Sequence, residues 1–244
     1  MSTSPVALIT GASQRLGAAT AKQLHHQGYN IVIHYRHSSN EAQALADKLN
    51  QIRESSCTCL QADLNKPSDI QQLCQQSVQH WQRLDLLINN ASSFFPTSIG
   101  ETTTEHWDDL FASNCKAPFF LSQELAPTLA KHQGNIVNMI DIHASAPLKN
   151  HTVYCMAKSA LQMMTLSLAK ELAPNIRVNG VAPGAILWPK PETEMTPEEK
   201  NKILSGIPLE RLGTLEDIAK TIVFLATSPY ITGQIIAVDG GRSI

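Results

Sequence analysis

The sequence predicts an α/β protein: a single doubly wound domain, residues 1–244, with a seven-stranded parallel sheet flanked by helices. Short runs rich in Val and Ile alternate with longer segments whose apolar residues recur at helical spacing. The short runs are apolar throughout rather than at every second position, which indicates strands that are covered on both faces. Strands of this kind alternating with helices are typical of a parallel sheet with right-handed crossovers.

The predicted elements follow one another with short connections. The strands are expected at Val6–Ile9, Asn30–Tyr35, Cys57–Gln61, Leu84–Ile88, Asn135–Ile140, Arg177–Val181 and Gln234–Val238. The helices are expected at Leu16–Gln27, Ser39–Arg53, Ser68–Trp81, Thr104–His132, Thr152–Leu172 and Leu215–Thr227. The irregular stretch 184–206 ends in a charged part, which is either a solvated helix face or part of a substrate lid. A lid fits its position, because ligands bind outside the carboxyl ends of parallel strands.

Composition excludes several classes of protein. The chain is 43% hydrophobic and 16% charged, so it is neither disordered nor a coiled coil. A formal charge of −2 provides no field for nucleic acid or an anionic membrane, and an anionic ligand must be bound locally. Five cysteines without a CxxC pair and nine histidines without HExxH spacing indicate free thiols and no metal site. Without a signal peptide or an apolar run of ~18 residues, we expect a cytoplasmic protein.

A turn with a glycine at each end follows the first predicted strand. It runs from Thr10 to Gly17 and reads TGASQRLG. Glycine lets the backbone approach a phosphate, and the next helix directs amide donors and its positive dipole end at the same place. Because the turn lies at the first strand–helix junction, we expect it to bind a dinucleotide rather than to be an ordinary tight turn.

The end of the second strand indicates which dinucleotide binds. An NAD site has a carboxylate here for the ribose 2′-hydroxyl group, whereas a 2′-phosphate is matched by arginine. Residues 30–40 contain no Asp or Glu, while Arg36, His37 and Ser38 offer donors, so NADPH is the expected cofactor. The alternative is that Arg36 is only a surface residue. After the third strand, Asp63 either caps the next segment or accepts a hydrogen bond from an adenine amino group.

Tyr154 and Lys158 lie four residues apart in a predicted helix, so their side chains share one face. A unit charge ~4 Å away contributes ~1–4 kcal/mol. We therefore expect the lysine to lower the pKa of the tyrosine by roughly one to three units, toward a working pH. Such a pair is common by chance, but together with the phosphate turn it indicates a catalytic site.

These motifs together resemble the short-chain dehydrogenase/reductase family over essentially the whole chain. They are Thr10–Gly17, Asn89–Ala91, Tyr154-x-x-x-Lys158, Pro183-Gly184, and Ile231–Gly233 followed by Val238–Gly241. The resemblance implies a Rossmann-type fold, a nicotinamide cofactor, often a homotetramer, and an Asn114 that supports the catalytic lysine through water. The cofactor-binding residues that it implies are Gly11, Arg15, Leu16, Gly17, Tyr35, Arg36, His37, Ser38, Asp63, Leu64, Asn90, Ala91, Ser92, Tyr154, Lys158, Pro183 and Gly184.

Three departures from the common pattern of that family resemble its pteridine reductases, of the dihydromonapterin or dihydrofolate reductase type. Arg15 stands where most members have the middle glycine of the cofactor turn. Asp141, thirteen residues before Tyr154, stands where most have serine. Residues 90–96, which read NASSFFP, replace the usual glycine after Asn-Ala, and residues 34–38 are similar to the same subgroup.

Asp141 changes the chemistry that the site supports. A serine donates a hydrogen bond to a carbonyl that becomes an alkoxide, whereas an ionised aspartate only accepts and repels the developing charge. Its charge near Tyr154 favours the protonated phenol and therefore opposes Lys158. The site thus suits the donation of a proton to a ring nitrogen, and Asp141 could also accept a hydrogen bond from the amino group of a pterin.

Further residues are expected to bind the substrate. Phe94 could stack on a flat ring opposite the nicotinamide, unless it is an ordinary core residue. Arg15 could bridge the cofactor phosphates and a pterin carbonyl group, and Ser92 is expected beside the substrate.

We therefore expect an NADPH-dependent reduction of a pterin or folate to the tetrahydro form. Tyr154, positioned by Lys158 and polarised by Asp141, supplies a proton to a ring nitrogen, or else water does. Biopterin, monapterin, dihydrofolate and folate all remain open, because they differ in the tail at C6. The alternatives are a ketone reductase, for instance one acting on 3-oxoacyl chains, and a non-catalytic dinucleotide sensor.

Overall fold

The computed structural model describes residues 4–188 and 195–244. Its strands are β1 (Val6–Ile9), β2 (Asn30–Tyr35), β3 (Cys57–Gln61), β4 (Leu86–Asn89), β5 (Asn135–Met139), β6 (Arg177–Pro183) and β7 (Ile235–Val238). They form a seven-stranded parallel sheet in the order β3-β2-β1-β4-β5-β6-β7, which confirms the predicted fold class. The direction of winding reverses between β1 and β4, and sheets of this type bind their ligands at such a point.

Helices cover both faces of the sheet. They are α1 (Arg15–His26), α2 (Ser39–Ile52), α3 (Pro67–Gln79), α4 (Thr104–Phe111), α5 (Ala117–Ala130), α6 (Thr152–Glu171), α7 (Pro197–Ser205) and α8 (Leu215–Thr227). The first core cluster includes α1, α2 and α8, and the second includes α3, α5 and α6. Along β1, Ala7 and Ile9 belong to the first cluster and Val6 and Leu8 to the second. Successive strand side chains point to opposite faces, so burial on both sides requires the unbroken apolar runs in the sequence.

The predicted helix Thr104–His132 is interrupted. α4 ends at Phe111, the segment Ala112–Lys116 forms a π-helical turn, and α5 begins at Ala117. Pro118 has no N–H to donate to the carbonyl four residues before it, and the wider turn accommodates this loss. A π-helical turn contains about one residue more than an α-helical turn. This small change barely alters the spacing of the apolar residues, so the pattern alone predicts a single helix.

Other boundaries differ by one or two residues. The fourth strand is Leu86–Asn89 rather than Leu84–Ile88, and the sixth extends to Pro183. Within the stretch 184–206, α7 begins with a capping box between Thr196 and Glu199, and none of its residues is buried. Part of the charged segment is therefore a solvated helix, while residues 189–194 of the predicted lid lie outside the described residues. Within the described ranges, no helix is long and apolar enough to cross a membrane.

Candidate active site

A cleft of about 650 Å³ opens at the carboxyl ends of the strands. Most of the predicted site residues line it: Gly11, Arg15, Leu16, Gly17, Arg36, Asp63, Leu64, Asn90, Ala91, Ser92, Phe94, Asp141, Tyr154, Lys158, Pro183 and Gly184. Four predicted residues are not part of this lining. Tyr35 packs against the first core cluster, His37 is exposed, Ser38 precedes α2, and Asn114 is buried behind the cleft.

The turn after β1 is tied to the turn after β4. The Thr10 hydroxyl accepts hydrogen bonds from the backbone amides of Asn90 and Ala91, both at 2.9 Å, and Asn90 Nδ2 donates to the Thr10 carbonyl at 2.8 Å. Gly11 has φ of 60°, in the left-handed region. A Cβ atom on Gly17 would lie 2.5 Å from the Gly11 carbonyl oxygen and 2.8 Å from Asn90 Nδ2, so only glycine lets α1 begin this close to both turns.

The first turn of α1 fits an anionic group. Gln14, which precedes the helix, makes no side-chain capping bond, and the first turn contains no acidic residue. The first amides of a helix have no partner within it, and its dipole favours negative charge there, so these residues fit the phosphates of a dinucleotide. Arg15 has φ of 51°, which costs a residue other than glycine roughly 1–2 kcal/mol. Arg15 thus retains a backbone suited to glycine and adds a guanidinium group beside the phosphate site.

Arg36 and Asp63 meet at the ends of β2 and β3. The Nε and Nη2 atoms of Arg36 each lie 3.2 Å from a carboxylate oxygen of Asp63. Asp63 Oδ1 also accepts a hydrogen bond from the Asn65 amide at 3.1 Å, which is a local turn contact of the kind expected if Asp63 caps the next segment. The Arg36 side chain is 47% exposed, so its guanidinium group remains accessible to a second anion.

Tyr154, Lys158 and Asp141 come together in the cleft. The Tyr154 hydroxyl donates to Asp141 Oδ2 at 2.9 Å, and Asp141 Oδ1 accepts from the His143 amide at 2.8 Å. Lys158 Nζ donates to the Met139 carbonyl at 2.8 Å and lies 5.7 Å from the centroid of the Tyr154 ring. Tyr154 and Lys158 are 4% and 2% exposed, so both polar groups act in a largely dry environment.

The predicted fall in the pKa of Tyr154 is wrong. Burial raises the pKa of the phenol far above its ordinary value, and the charge and hydrogen bond of Asp141 raise it further, while Ser92 acts in the opposite direction. Burial lowers the pKa of Lys158 to about 8, although the charge of Asp141 acts against this. The expectation failed because spacing shows that two residues share a face but not how deeply they are buried.

The π-helical turn holds the loop that follows β4. Asn114 Oδ1 accepts from the Ser92 hydroxyl at 2.7 Å, and Asn114 Nδ2 donates to the Ser93 carbonyl at 2.9 Å. Ser113 Oγ accepts from the Ser93 amide at 3.1 Å. Asn114 Nδ2 also donates to the Leu110 carbonyl, so these bonds engage both ends of the side-chain amide. The support of Lys158 by Asn114 through water stays a prediction.

Phe94 lies exposed at the cleft. Its ring stacks on His151 with centroids 4.6 Å apart and 14° between the planes, and it meets the Tyr154 ring nearly perpendicularly at 4.8 Å. Phe94 is 57% exposed, which does not fit the alternative of an ordinary core residue. An exposed ring held by two neighbours offers a flat apolar surface to a planar ligand.

His34 also lines the cleft, although no motif in the sequence gives it an individual role. Its Nδ1 atom lies 3.0 Å from the Gly11 amide nitrogen, and its Nε2 atom lies 3.1 Å from the Ala62 carbonyl oxygen. The sequence offers one signal for such a role: an imidazole ring, with two polar nitrogen atoms, lies within the mostly apolar strand β2. Along the ranges that the structure describes, no group of three or more His, Cys, Asp or Glu residues is arranged to hold a metal ion.

Comparison with known proteins establishes the family. A family described as "Enoyl-(Acyl carrier protein) reductase" matches residues 11–243. The chain is also 39% identical to "Pteridine reductase 1" of Leishmania tarentolae, over 99% of this chain and 97% of that protein. The chain belongs to the short-chain dehydrogenase/reductase family.

Two further proteins match at nearly full length. An "Uncharacterized oxidoreductase YmfI" of Bacillus subtilis is 36% identical, and a "3-oxoacyl-[acyl-carrier-protein] reductase FabG" of Staphylococcus epidermidis is 32% identical. Both alignments cover 96% of this chain and 97% of the relative. As a member of this family, the protein is a reductase that uses a nicotinamide cofactor.

Proposed function

We propose that this short-chain dehydrogenase/reductase is an NADPH-dependent pteridine reductase. The observation that carries the proposal is the 2.9 Å hydrogen bond from the Tyr154 hydroxyl to the Asp141 carboxylate. A carboxylate beside the phenol can accept from the amino group of a pterin, but it repels the oxyanion of a reacting ketone. The relative named a pteridine reductase, 39% identical over nearly the full length, supports the same substrate class.

The residues of the cleft divide the work of reducing a C=N bond. A nicotinamide cofactor, when bound, would supply the hydride for a ring carbon. Tyr154 holds its proton, because burial and Asp141 raise its pKa. It delivers that proton to the adjacent ring nitrogen and regains one from solvent. Lys158, held by the Met139 carbonyl, keeps a positive charge beside the phenol. Phe94 stacks on the substrate ring from outside, and the net change is addition of a hydride and a proton.

The preference for NADPH rests on Arg36. Its guanidinium group pairs with Asp63 at 3.2 Å but remains half-exposed, so it can turn toward a 2′-phosphate. We expect NADPH to bind at least ~10-fold more tightly than NADH, which corresponds to about 1.4 kcal/mol. Arg36→Ala should abolish that difference without weakening NADH, as measured by fluorescence titration of the unliganded protein. Equal affinities in the unmodified protein would contradict the role of Arg36.

A ketone reductase is the second candidate function. The relative named a 3-oxoacyl-[acyl-carrier-protein] reductase matches 96% of the chain, and a Tyr–Lys pair serves either reaction. A non-catalytic sensor is less well supported, because it would need neither Tyr154 nor Lys158. Asp141 distinguishes the two reductases, because its carboxylate favours a pterin and disfavours a ketone.

The test compares two single substitutions of Asp141. Asp141→Ser introduces a hydroxyl donor and should lower pterin turnover by ~10²-fold or more while raising turnover of a simple ketone. Asp141→Asn is the matched control, because it keeps the size of the side chain without its charge, and it should also lower pterin turnover if the charge of the carboxylate is what the pterin requires. The affinity for NADPH should stay within about 3-fold in both variants. Unchanged pterin turnover in Asp141→Ser would contradict the proposal.

Four broader features are also proposed. Residues 1–244 form a single domain, which the shared sheet supports, and residues 184–206 act as a lid over the substrate tail. The Lys200 ammonium lies 5.9 Å from the centroid of the Trp188 ring, so the start of this stretch contacts α7.

A cytoplasmic location is supported by the cysteines, which are all free thiols: Cys57, Cys59, Cys74, Cys115 and Cys155. A homotetramer is supported by exposed apolar side chains on α5 and α6.

A further inference from the structure

His34 connects three neighbouring strands at the edge of the sheet where the cofactor is expected to bind. It is 2% exposed and stands in β2, with β1 on one side and β3 on the other. Its side chain contacts Gly11, in the turn after β1, and Ala62, which follows β3. Its own carbonyl group accepts from the Ala12 amide at 2.9 Å, so one residue fixes two successive amides of the phosphate turn.

The two partners of the ring require a single protonation state. The Gly11 amide is a donor, so Nδ1, 3.0 Å away, must be an unprotonated acceptor. The Ala62 carbonyl is an acceptor, so Nε2, 3.1 Å away, must carry the proton. A doubly protonated ring would direct an N–H group at the N–H of Gly11. Burial lowers the pKa of His34 to about 4, with the Ala62 carbonyl and the charge of Asp63 opposing this, so the ring is neutral near pH 7.

We propose that His34 is a positioning residue for cofactor binding. Its neutral ring, protonated only at Nε2, fixes the orientation of the peptide group before Gly11 and hence the geometry of the phosphate turn. It also sets the distance between that turn and the strand ends that carry Arg36 and Asp63, because those residues follow His34 and Ala62 by two and one positions. The inference needs only the nicotinamide cofactor, so it stands or falls separately from the pterin assignment.

The two ring contacts have separable consequences. The bond to Gly11 acts on the turn that meets the phosphates, whereas the bond to Ala62 joins β2 to β3 away from that turn. Cofactor affinity should therefore follow the acceptor at the Nδ1 position, and thermal stability should follow both contacts. If His34 only filled the core, affinity would change in parallel with stability in every variant.

Three substitutions separate these effects. His34→Asn keeps an oxygen acceptor near the Nδ1 position, His34→Gln keeps a donor near the Nε2 position, and His34→Leu keeps neither. We expect the Kd for NADPH, measured by fluorescence titration, to stay within about 3-fold in His34→Asn and to rise about 10- to 100-fold in His34→Gln and His34→Leu. His26→Gln is the matched control, because His26 is exposed on α1, and it should leave the Kd unchanged.

A spectroscopic measurement keeps the inference testable even if a variant fails to fold. Long-range ¹H–¹⁵N NMR spectra of the unmodified protein near pH 7 should show His34 protonated only at Nε2, with and without NADPH. The Nδ1 tautomer or a doubly protonated ring would overturn the inference. A Kd in His34→Gln equal to that of the unmodified protein, or one that merely follows the loss of stability across all three variants, would also overturn it.

Discussion

At the scale of single residues, burial determines the protonation of the cleft more than the pairing of charges does. Tyr154 and Lys158 stand on one helix face, as the sequence predicts, yet the phenol is harder to ionise than a free tyrosine. The type, spacing and position of both residues could be read from the sequence. Their desolvation could not, because it depends on which elements pack over them. His34 was missed for a similar reason, since its role depends on contacts from β1 and β3 that a linear pattern does not contain.

The lowered pKa of Lys158 predicts a specific dependence of stability on pH. Its pKa is about 8 in the folded protein and 10.5 ordinarily, so between these values the unfolded chain binds more protons. The contribution of Lys158 to the free energy of unfolding therefore rises with pH over this window, by on the order of 3 kcal/mol. Above pH ~10 the raised pKa of Tyr154 acts in the opposite direction, because only the unfolded tyrosine ionises there.

Urea unfolding at pH 7 and pH 10 measures this effect. Relative to Lys158→Met, the unmodified protein should become more stable as the pH rises, since the variant has no ammonium group to discharge. Lys170→Met removes an exposed lysine of the same helix and should show no such trend. A difference between the unmodified protein and Lys158→Met that stays constant with pH would contradict the account of the buried ammonium.

At the scale of elements, the π-helical turn at 112–116 is the largest departure from the predicted helices, and it also contributes to the site. Residues 104–132 have the apolar spacing of one helix, but the π-helical turn at 112–116 divides it. The turn carries Ser113 and Asn114, which anchor the loop that bears Ser92 and Phe94. The strands and the helices α1, α2, α3, α6 and α8 were predicted within a few residues, because burial leaves a strong local signal in the apolar spacing. The solvated α7 has no such signal, and the sequence left its stretch open.

Removing this anchor should affect the substrate more than the cofactor. Asn114→Ala eliminates the bonds to Ser92 and Ser93, so we expect the free energy of unfolding to fall by about 1–3 kcal/mol. The KM for the pterin should rise about 10-fold, while the Kd for NADPH changes little because Thr10 still holds Asn90. Urea unfolding measures the free energy, steady-state kinetics the KM and fluorescence titration the Kd.

Ser122→Ala is the control for this prediction. Ser122 is buried on the neighbouring α5 and donates to the Pro118 carbonyl at 2.7 Å. Its hydroxyl also lies 3.5 Å from Asn89 Nδ2, at the end of β4 and before residues 92–95. The substitution should lower stability without raising KM. A KM in Asn114→Ala no higher than that in Ser122→Ala would mean that the π-helical turn does not position the substrate loop.

At the scale of the whole molecule, bulk composition conceals a local site. The net charge of −2 gives no attraction for anions, and the basic groups at the cofactor edge are few and specific. The parallel sheet that places them together was predicted from the alternation of strands and helices, and the structure adds the order of its strands. What composition did not show is the surface that remains apolar, where Phe119, Phe120, Met163 and Leu166 are each at least 39% exposed on α5 and α6.

Exposed apolar faces of this kind predict self-association. The unmodified protein should elute as a tetramer in size-exclusion chromatography with light scattering, whereas a double variant Phe119→Lys, Met163→Lys should shift to smaller species. Ile52→Lys is the control, because Ile52 is 76% exposed at the end of α2, away from these helices, and it should leave the mass unchanged. A monomeric unmodified protein would contradict the proposed assembly.

We propose that Asp141 adapts this short-chain dehydrogenase/reductase to a pterin ring. The most direct measurement is the loss of absorbance of NADPH with a panel of substrates: dihydrobiopterin, dihydromonapterin, dihydrofolate, folate and simple ketones including a 3-oxoacyl thioester. The account predicts turnover of at least one pterin or folate, with ketones slower by ~10²-fold or more. Turnover of ketones alone, with no pterin or folate reduced, would contradict it.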